Sequence, residues 1–298
     1  MLKNIIIGIS WSIQSNILLI FINYIYIEQL YLRLMFWERQ EGGLCRKHSL
    51  NAYYQNAKIS TQEFQEWSNK YNNYLEEKYG NKIVIQENDI VYSNDIGIIP
   101  YIIKHLDNKY CFHFALNQIS ETFQHYSIPN VNEWLNDNDF IFVYNHGHIW
   151  GMKKENNNWH KIDSLSGIAA SQNVHSLHGE KNQGIIIPRE KGKQTEDRIT
   201  VVSGIKRYLS QHSGDQSIEG IEEIINKTIS MGKNADWLEP LVGLYINILE
   251  TIEQQTQEEI LLLEDYDKFL RHYERNKTDY EYLKTNFSKI VYKINNLQ

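Results

Sequence analysis

The sequence predicts an α+β protein in which helices come first, antiparallel strands follow, and an all-helical region ends the chain. Apolar residues recur at helical spacing from residue 44 to about 107, form short β-branched and aromatic runs from 110 to 188, and return to helical spacing beyond 198. Separate runs of helices and strands are typical of α+β folds. The 298 residues are 42% hydrophobic and 22% charged, which indicates a folded chain of about two domains.

The first 34 residues form a hydrophobic N-terminal segment. Residues 5–27 contain no charge, and a run of this length meets the minimum for a membrane-spanning helix. No small-residue cleavage site follows, which argues against a removed signal peptide. The pattern predicts either a single-pass membrane anchor or an extension that the fold does not need, with the functional chain beginning near Met35.

Residues 35–190 are predicted to form one domain, with helices at 44–56, 61–79 and from 97 onward. Ser60 followed by Glu63 is a capping pattern, and Gly80 is a typical helix end. We expect strands over 110–116, 140–144, 148–153, 159–162 and 184–188, and a short helix over 131–135. The third and fourth of these strands are separated by a polar turn, which predicts a hairpin.

The charged stretch 189–198 has no apolar period and is predicted to be a linker to a helical region, residues 191–298. Four apolar stripes at helical spacing follow, which usually indicate packing faces. A partner-binding helix surface is the alternative, and the sequence does not indicate what such a surface binds.

Charge and cysteine content limit the function classes. The formal net charge is −7, and no long basic block is present, so nucleic acid is not an expected partner. Two cysteines are too few for a secreted disulfide scaffold and indicate a reducing, intracellular, cytosol-facing location, with or without a membrane anchor.

The stretch QEGGLCRKHSLN, residues 40–51, places Cys45 in the first turn of a predicted helix behind a glycine pair. The positive end of the helix dipole and a nearby imidazolium favour thiolate over thiol, so Cys45 is a candidate nucleophile. Gln40 precedes the turn, where its amide NH₂ and the backbone N–H of Cys45 would donate to an oxyanion. The alternative is that Cys45 is a small buried core residue.

A catalytic thiol needs a base and a group that orients the base. His148 begins one predicted hairpin strand and Asp163 ends the other, so the hairpin would place them side by side. His146 lies two residues before His148 and is the fallback base.

These motifs, with SNDIG ahead of an apolar helix and W-x-x-x-D-S-L around Asp163, are similar to the Josephin domain of ataxin-3-like ubiquitin proteases. The resemblance covers about residues 36–189. It implies a papain-like fold with a catalytic helix and an antiparallel sheet. It also implies hydrolysis of the (iso)peptide bond at the C-terminal glycine of ubiquitin, with Cys45 as nucleophile, His148 as base, Asp163 as orienter and Gln40 as oxyanion donor. Here Ile149 stands between His148 and Trp150, whereas the family usually has an aromatic residue directly after the histidine.

Two rival interpretations remain open. The first is a metal site, because four possible ligands are present: Cys45, His48, His146 and His148. Isolated C-x-x-H and H-x-H pieces are, however, weak zinc signals. We expect no metal and no cofactor. The second rival is a catalytically silent ubiquitin-binding module whose helical tail recruits a partner. On either ubiquitin interpretation the expected partners are ubiquitin or ubiquitinated proteins.

Overall fold

The computed structural model describes residues 35–80, 85–87, 90–93, 95–115, 134–135, 137–145, 147–169, 183–212, 214–230, 238–250, 252, 255–275 and 279–297. The helices in this part are α1 (Cys45–Tyr54), α2 (Thr61–Tyr79), α3 (Ile98–Asp107), α4 (Gln194–His212), α5 (Ile218–Ser230), α6 (Leu238–Leu249), α7 (Gln257–Arg275) and α8 (Tyr280–Asn296). The strands are β1 (Ile85–Glu87), β2 (Ile90–Tyr92), β3 (Tyr110–Ala115), β4 (Phe140–Asn145), β5 (His148–Glu155), β6 (Asn158–Asp163), β7 (Gly167–Ala169) and β8 (Gln183–Arg189).

The prediction of a transmembrane protein is corrected. No helix in the described part of the chain is long and apolar enough to cross a bilayer. The segment that motivated the prediction, residues 5–27, lies outside the described residues, as does most of the short helix predicted over 131–135.

The α+β class is confirmed, and its centre is a six-stranded antiparallel sheet with the order β3-β8-β4-β5-β6-β7. β1 and β2 form a separate two-stranded sheet. The predicted hairpin of β5 and β6 is present, with Glu155 paired to Asn158 across its turn. β7 extends this hairpin at the sheet edge and was not predicted.

Helices cover both faces of the sheet because the central strands are apolar on both sides. In β8, Ile186 packs with α1, α2 and α3, whereas Ile185 and Ile187 pack with the C-terminal helices. β4 alternates in the same way, with Phe142 facing the first group and Val143 the second. A continuous apolar strand is the pattern expected where both faces are buried. The C-terminal helices therefore share a core with the sheet.

The linker predicted over 189–198 is wrong. Arg189 ends β8, a short 3₁₀ turn covers Lys191–Lys193, and α4 begins at Gln194. The guanidinium of Arg189 makes two hydrogen bonds of 2.9 Å to the carboxylate of Asp197, and both side chains are buried. This ion pair holds the start of α4 against the sheet. The domain boundary at 190 stays a prediction.

α1 is buried although its sequence is largely polar. Its polar side chains have partners inside the protein: Asn51 bridges to the backbone of Ile59 through both amide atoms, and the Ser49 hydroxyl donates to the carbonyl of Ile149 on β5 at 3.1 Å. Buried polar groups are tolerated where they are hydrogen-bonded. The Ser49 bond fixes α1 against the strand that begins with His148.

Candidate active site

Cys45 lies in the first turn of α1, as predicted, and is the first residue of that helix; its sulfur lies beside the start of β5. Gly42 takes a positive φ of 55° in the turn that leads into the helix, a conformation that favours glycine. Cys45 is 4% exposed, and its Sγ lies 3.9 Å from the carbonyl oxygen of Gly147. Gly147, directly before β5, therefore lies beside the sulfur.

The hairpin brings His148 and Asp163 together, as the sequence predicts. Nε2 of His148 is 2.9 Å from Oδ1 of Asp163, and the side chain of Asp163 is only 5% exposed. Since Nε2 is occupied by the carboxylate, Nδ1 is the nitrogen left to face Cys45. Hydrogen bonds to Asp163 and then to Cys45 raise the pKa of His148 to about 9, despite the opposing effect of burial. The imidazole is therefore a cation at neutral pH.

Three further groups hold the carboxylate of Asp163. The backbone N–H of Leu165 donates to Oδ1 at 2.9 Å, the Ser166 hydroxyl donates to Oδ2 at 3.1 Å, and the Lys161 ammonium lies 2.9 Å from Oδ2. Burial alone would raise the pKa of Asp163, but the bonds from His148, Lys161 and Leu165 outweigh burial and hold the pKa well below its usual range. Asp163 is thus a fixed anion that orients the imidazole.

The Cys45 thiol is shifted toward thiolate. Burial is the largest single effect and raises its pKa, but a hydrogen bond with His148, the positive charge of Arg46 and a backbone hydrogen bond at Ile149 together lower the pKa below its ordinary value. Arg46 was not identified from the sequence. Its Nη1 lies 3.5 Å from the Cys45 sulfur. The only sequence signal was an arginine directly after a cysteine at a helix start.

Gln40 is tied to the residue that follows Asp163. Its backbone N–H donates to the carbonyl of Ser164 at 2.9 Å, and the Ser164 hydroxyl donates to Gln40 Oε1 at 2.9 Å. The amide nitrogen of Gln40 donates to the carbonyl of Gly42 at 2.7 Å. Trp37 strengthens the same connection, because its indole N–H donates to the carbonyl of Asp163 at 2.8 Å. The sequence did not reveal Ser164 or Trp37.

His48, the residue in the rival metal interpretation, is buried and engaged at both ring nitrogens. Nδ1 lies 2.8 Å from the carboxylate of Glu38, and Nε2 accepts from the backbone N–H of Glu41 at 3.3 Å. Burial lowers the pKa of His48, although Glu38 opposes this effect. His48 therefore braces the chain before Cys45, and neither nitrogen is directed to a shared ligand with the sulfur.

An aromatic ring supports the imidazole even though Ile149 follows His148. Trp150 stacks on His148 with ring centroids 5.9 Å apart and an interplanar angle of 27°. Alternate residues of a strand share a face, so an aromatic two positions later reaches the imidazole. The fallback base, His146, lies outside the described residues.

The site therefore unites Cys45, His148, Asp163 and, through Ser164, Gln40. No model of a known protein family matches the chain, and a search of curated proteins finds no match either. What the site can do is accordingly argued from its own geometry.

Proposed function

We propose that this chain is a papain-like cysteine protease of Josephin type that hydrolyses the (iso)peptide bond at the C-terminal glycine of ubiquitin. The observation that carries the proposal is the chain of contacts from Asp163 through His148 to Cys45, with Nε2 of the imidazole 2.9 Å from the carboxylate. A cysteine, a base and a group that orients the base are the parts that thiol-dependent acyl transfer requires.

In the first step the Cys45 thiolate attacks the carbonyl carbon, forming a C–S bond and an oxyanion. His148, present as imidazolium, then donates its proton to the leaving amine as the C–N bond breaks, which leaves a thioester. A water molecule attacks the thioester while the now neutral His148 takes its proton, and the Cys45 thiolate departs. Asp163 stays ionised throughout and keeps the imidazole oriented.

Gln40 and the first backbone N–H of α1 would stabilise the oxyanion. An amide NH₂ carries two N–H groups, so Gln40 can donate to Gly42 with one and to the oxyanion with the other. The Ser164 hydroxyl holds Oε1 of the same amide, which turns the NH₂ group away from Ser164. A donor fixed before the reaction is more effective than one that must reorganise during it.

Two features support ubiquitin as the acyl donor. The motifs around Cys45, His148 and Asp163 resemble those of ubiquitin-specific Josephin proteases. In addition, Cys45 is 4% exposed, so only a slim acyl group can reach its sulfur, and a terminal glycine has no side chain to obstruct the approach.

Hydrolysis of a ubiquitin dimer by the full chain tests the proposal. We expect cleavage by the wild type and none by Cys45→Ala. Cys111→Ala is the matched control and should cleave normally, because Cys111 is buried in β3, where burial raises its pKa far above neutral. Reversible ubiquitin binding without cleavage would favour the silent module. Absence of both binding and cleavage would reject ubiquitin as the substrate.

A further inference from the structure

A buried arginine lies against the sulfur of the candidate nucleophile. Arg46 is 4% exposed, and its Nη1 is 3.5 Å from Sγ of Cys45. Removing a guanidinium from water is costly unless its charge and its N–H groups meet partners. A polarisable sulfur that can become an anion is such a partner, and the 3.5 Å contact places the positive charge beside the atom that would carry the negative one.

The guanidinium is held in this position from the other side. Its Nε donates to the carbonyl oxygen of Asp95 at 3.2 Å. Asp95 is itself fixed, because its carboxylate accepts from the Tyr71 hydroxyl at 3.1 Å and from the backbone N–H of Gly97 at 2.9 Å. The turn that begins α3 therefore positions Arg46 before any substrate arrives.

We propose that Arg46 is a further catalytic residue, whose guanidinium stabilises the Cys45 thiolate independently of the His148 imidazolium. The inference rests on the proposed role of Cys45 as nucleophile. In addition, Arg46 gives the site a cation that does not deprotonate. This cation favours the thiolate form of Cys45 and continues to do so when His148 has lost its proton.

The two cations facing the sulfur differ in one respect that matters for catalysis. His148, on β5, loses its charge during each turnover when it donates its proton, whereas a guanidinium does not deprotonate in proteins. The thiolate is again the leaving group when the thioester is hydrolysed, and His148 regains its charge only by taking a proton from the attacking water in that same reaction. Arg46 would stabilise the sulfur anion at both stages.

Two neighbouring charged groups, Lys47 and Asp95, have partners other than the sulfur. Lys47, the next residue of α1, pairs with the carboxylate of Glu38 at 3.5 Å. The carboxylate of Asp95, in the turn before α3, accepts from Tyr71 and Gly97, whereas Arg46 bonds to the backbone carbonyl of that residue. Lys47→Gln therefore removes a neighbouring buried cation without removing the one beside the sulfur, and serves as the matched control.

The test measures the rate at which iodoacetamide alkylates position 45 of the full chain across pH, followed by peptide mass spectrometry so that Cys111 does not interfere. Iodoacetamide is small and uncharged, and its rate reports the thiolate fraction. We expect Arg46→Gln to raise the pKa of Cys45 by about one unit, which lowers the thiolate fraction about tenfold on the acid side and, because the remaining thiolate reacts faster, slows alkylation there about threefold. Because a thiolate of higher pKa is more nucleophilic, its alkaline plateau should rise about threefold. Arg46→Lys should lie between these two proteins, and Lys47→Gln should match the wild type.

A purely structural role for Arg46 would leave the titration of Cys45 unchanged in a folded Arg46→Gln protein, and that result overturns the proposal. If Arg46→Gln does not fold, His148→Gln decides the question with Arg46 intact. Burial raises the pKa of a thiol, so in His148→Gln a Cys45 sulfur that faces no cation titrates as high as the buried thiol of Cys111, whereas one that faces Arg46 titrates below Cys111. Since alkylation needs no ubiquitin, failure of the ubiquitin assignment leaves this test unaffected.

Discussion

Gln40 and Ser164 exchange two hydrogen bonds: the Gln40 backbone N–H donates to the Ser164 carbonyl, and the Ser164 hydroxyl donates to the Gln40 side-chain oxygen, each at 2.9 Å. The pair joins the segment before the nucleophile to the residue after Asp163. The proposed oxyanion donor and the proposed orienting carboxylate are therefore held on one rigid connection, although more than a hundred residues of chain separate them.

Loss of the Ser164 hydroxyl should weaken catalysis without affecting the nucleophile. In Ser164→Ala the Gln40 amide loses the bond that fixes its orientation, so we expect kcat to fall by about tenfold, less than the roughly 10²- to 10³-fold loss typical when an oxyanion donor is removed. Gln40→Ala should show that larger loss. The measurements are kcat for a ubiquitin-derived substrate and the iodoacetamide rate at Cys45, which should stay unchanged in both variants.

Ser210→Ala is the control for this comparison, because its exposed hydroxyl bonds to the Arg207 carbonyl within α4. It should retain full kcat. Equal activity of Ser164→Ala and Ser210→Ala would show that the orientation of Gln40 does not matter for the reaction.

Asp163→Asn should move the alkaline limit of activity to lower pH. The carboxylate is the main cause of the raised pKa of His148, about 9, so the imidazolium that protonates the leaving amine persists up to that pH in the wild type. Without the negative charge the pKa of His148 falls toward its ordinary value of 6.5. A pH profile of kcat/KM measures the shift.

The maximal rate of Asp163→Asn, and that of Asp163→Ala, should stay above that of Cys45→Ala, because an imidazole that has lost its orienter still acts as a base part of the time. An unchanged alkaline limit in Asp163→Asn would show that this carboxylate does not control the imidazole.

His148→Ala should abolish turnover, whereas His146→Ala should only reduce it. The reason is geometric: His148 bonds to Asp163 fifteen residues later and supports the thiolate of Cys45. Turnover of a ubiquitin dimer by the two variants measures the difference. Equal losses would remove the basis for choosing His148 as the base.

Asp197→Ala should destabilise the whole protein. The substitution leaves Arg189 buried without its carboxylate, and breaking one side of a buried pair costs about 3–5 kcal/mol. The Tyr110 hydroxyl loses its hydrogen-bond acceptor at the same time. Denaturant unfolding measures the free energy.

Glu196→Ala provides the control, since the neighbouring Lys193–Glu196 pair is exposed and such pairs contribute at most about 1 kcal/mol. If both variants unfold at the same denaturant concentration, the ion pair does not hold the helical region to the sheet.

Hydrophobic spacing predicted most elements because each depends on local pattern. The limits of α2, with its Ser60 capping box and its left-handed Gly80, were predicted closely, as was the β5–β6 hairpin. The linker over 189–198 failed because a charged stretch resembles a surface loop until the partner of each charge is known. Arg189 and Asp197 are each other's partner, and only the packing of α4 on β8 brings that about.

Contacts within the candidate site were predicted where sequence spacing implies that two residues are close. They were missed where only the packing of distant segments brings the residues together. The hairpin alone pairs His148 with Asp163. Arg46 owes its position to the carbonyl of Asp95, and Ser164 owes its role to the approach of Gln40, and neither contact follows from any local periodicity. α1 is a similar case: it has the polar composition of a surface helix although it is buried, because packing supplies hydrogen-bond partners for its polar side chains.

The measurement that tests the central claim most directly is covalent capture of the full chain by a ubiquitin whose C-terminus carries a thiol-reactive group. Peptide mass spectrometry then identifies the modified residue. We expect one adduct, at Cys45, that persists in Cys111→Ala and is reduced in His148→Ala. An adduct that still forms in Cys45→Ala would contradict the assignment. So would a wild-type protein in which iodoacetamide modifies Cys45 but the ubiquitin probe does not.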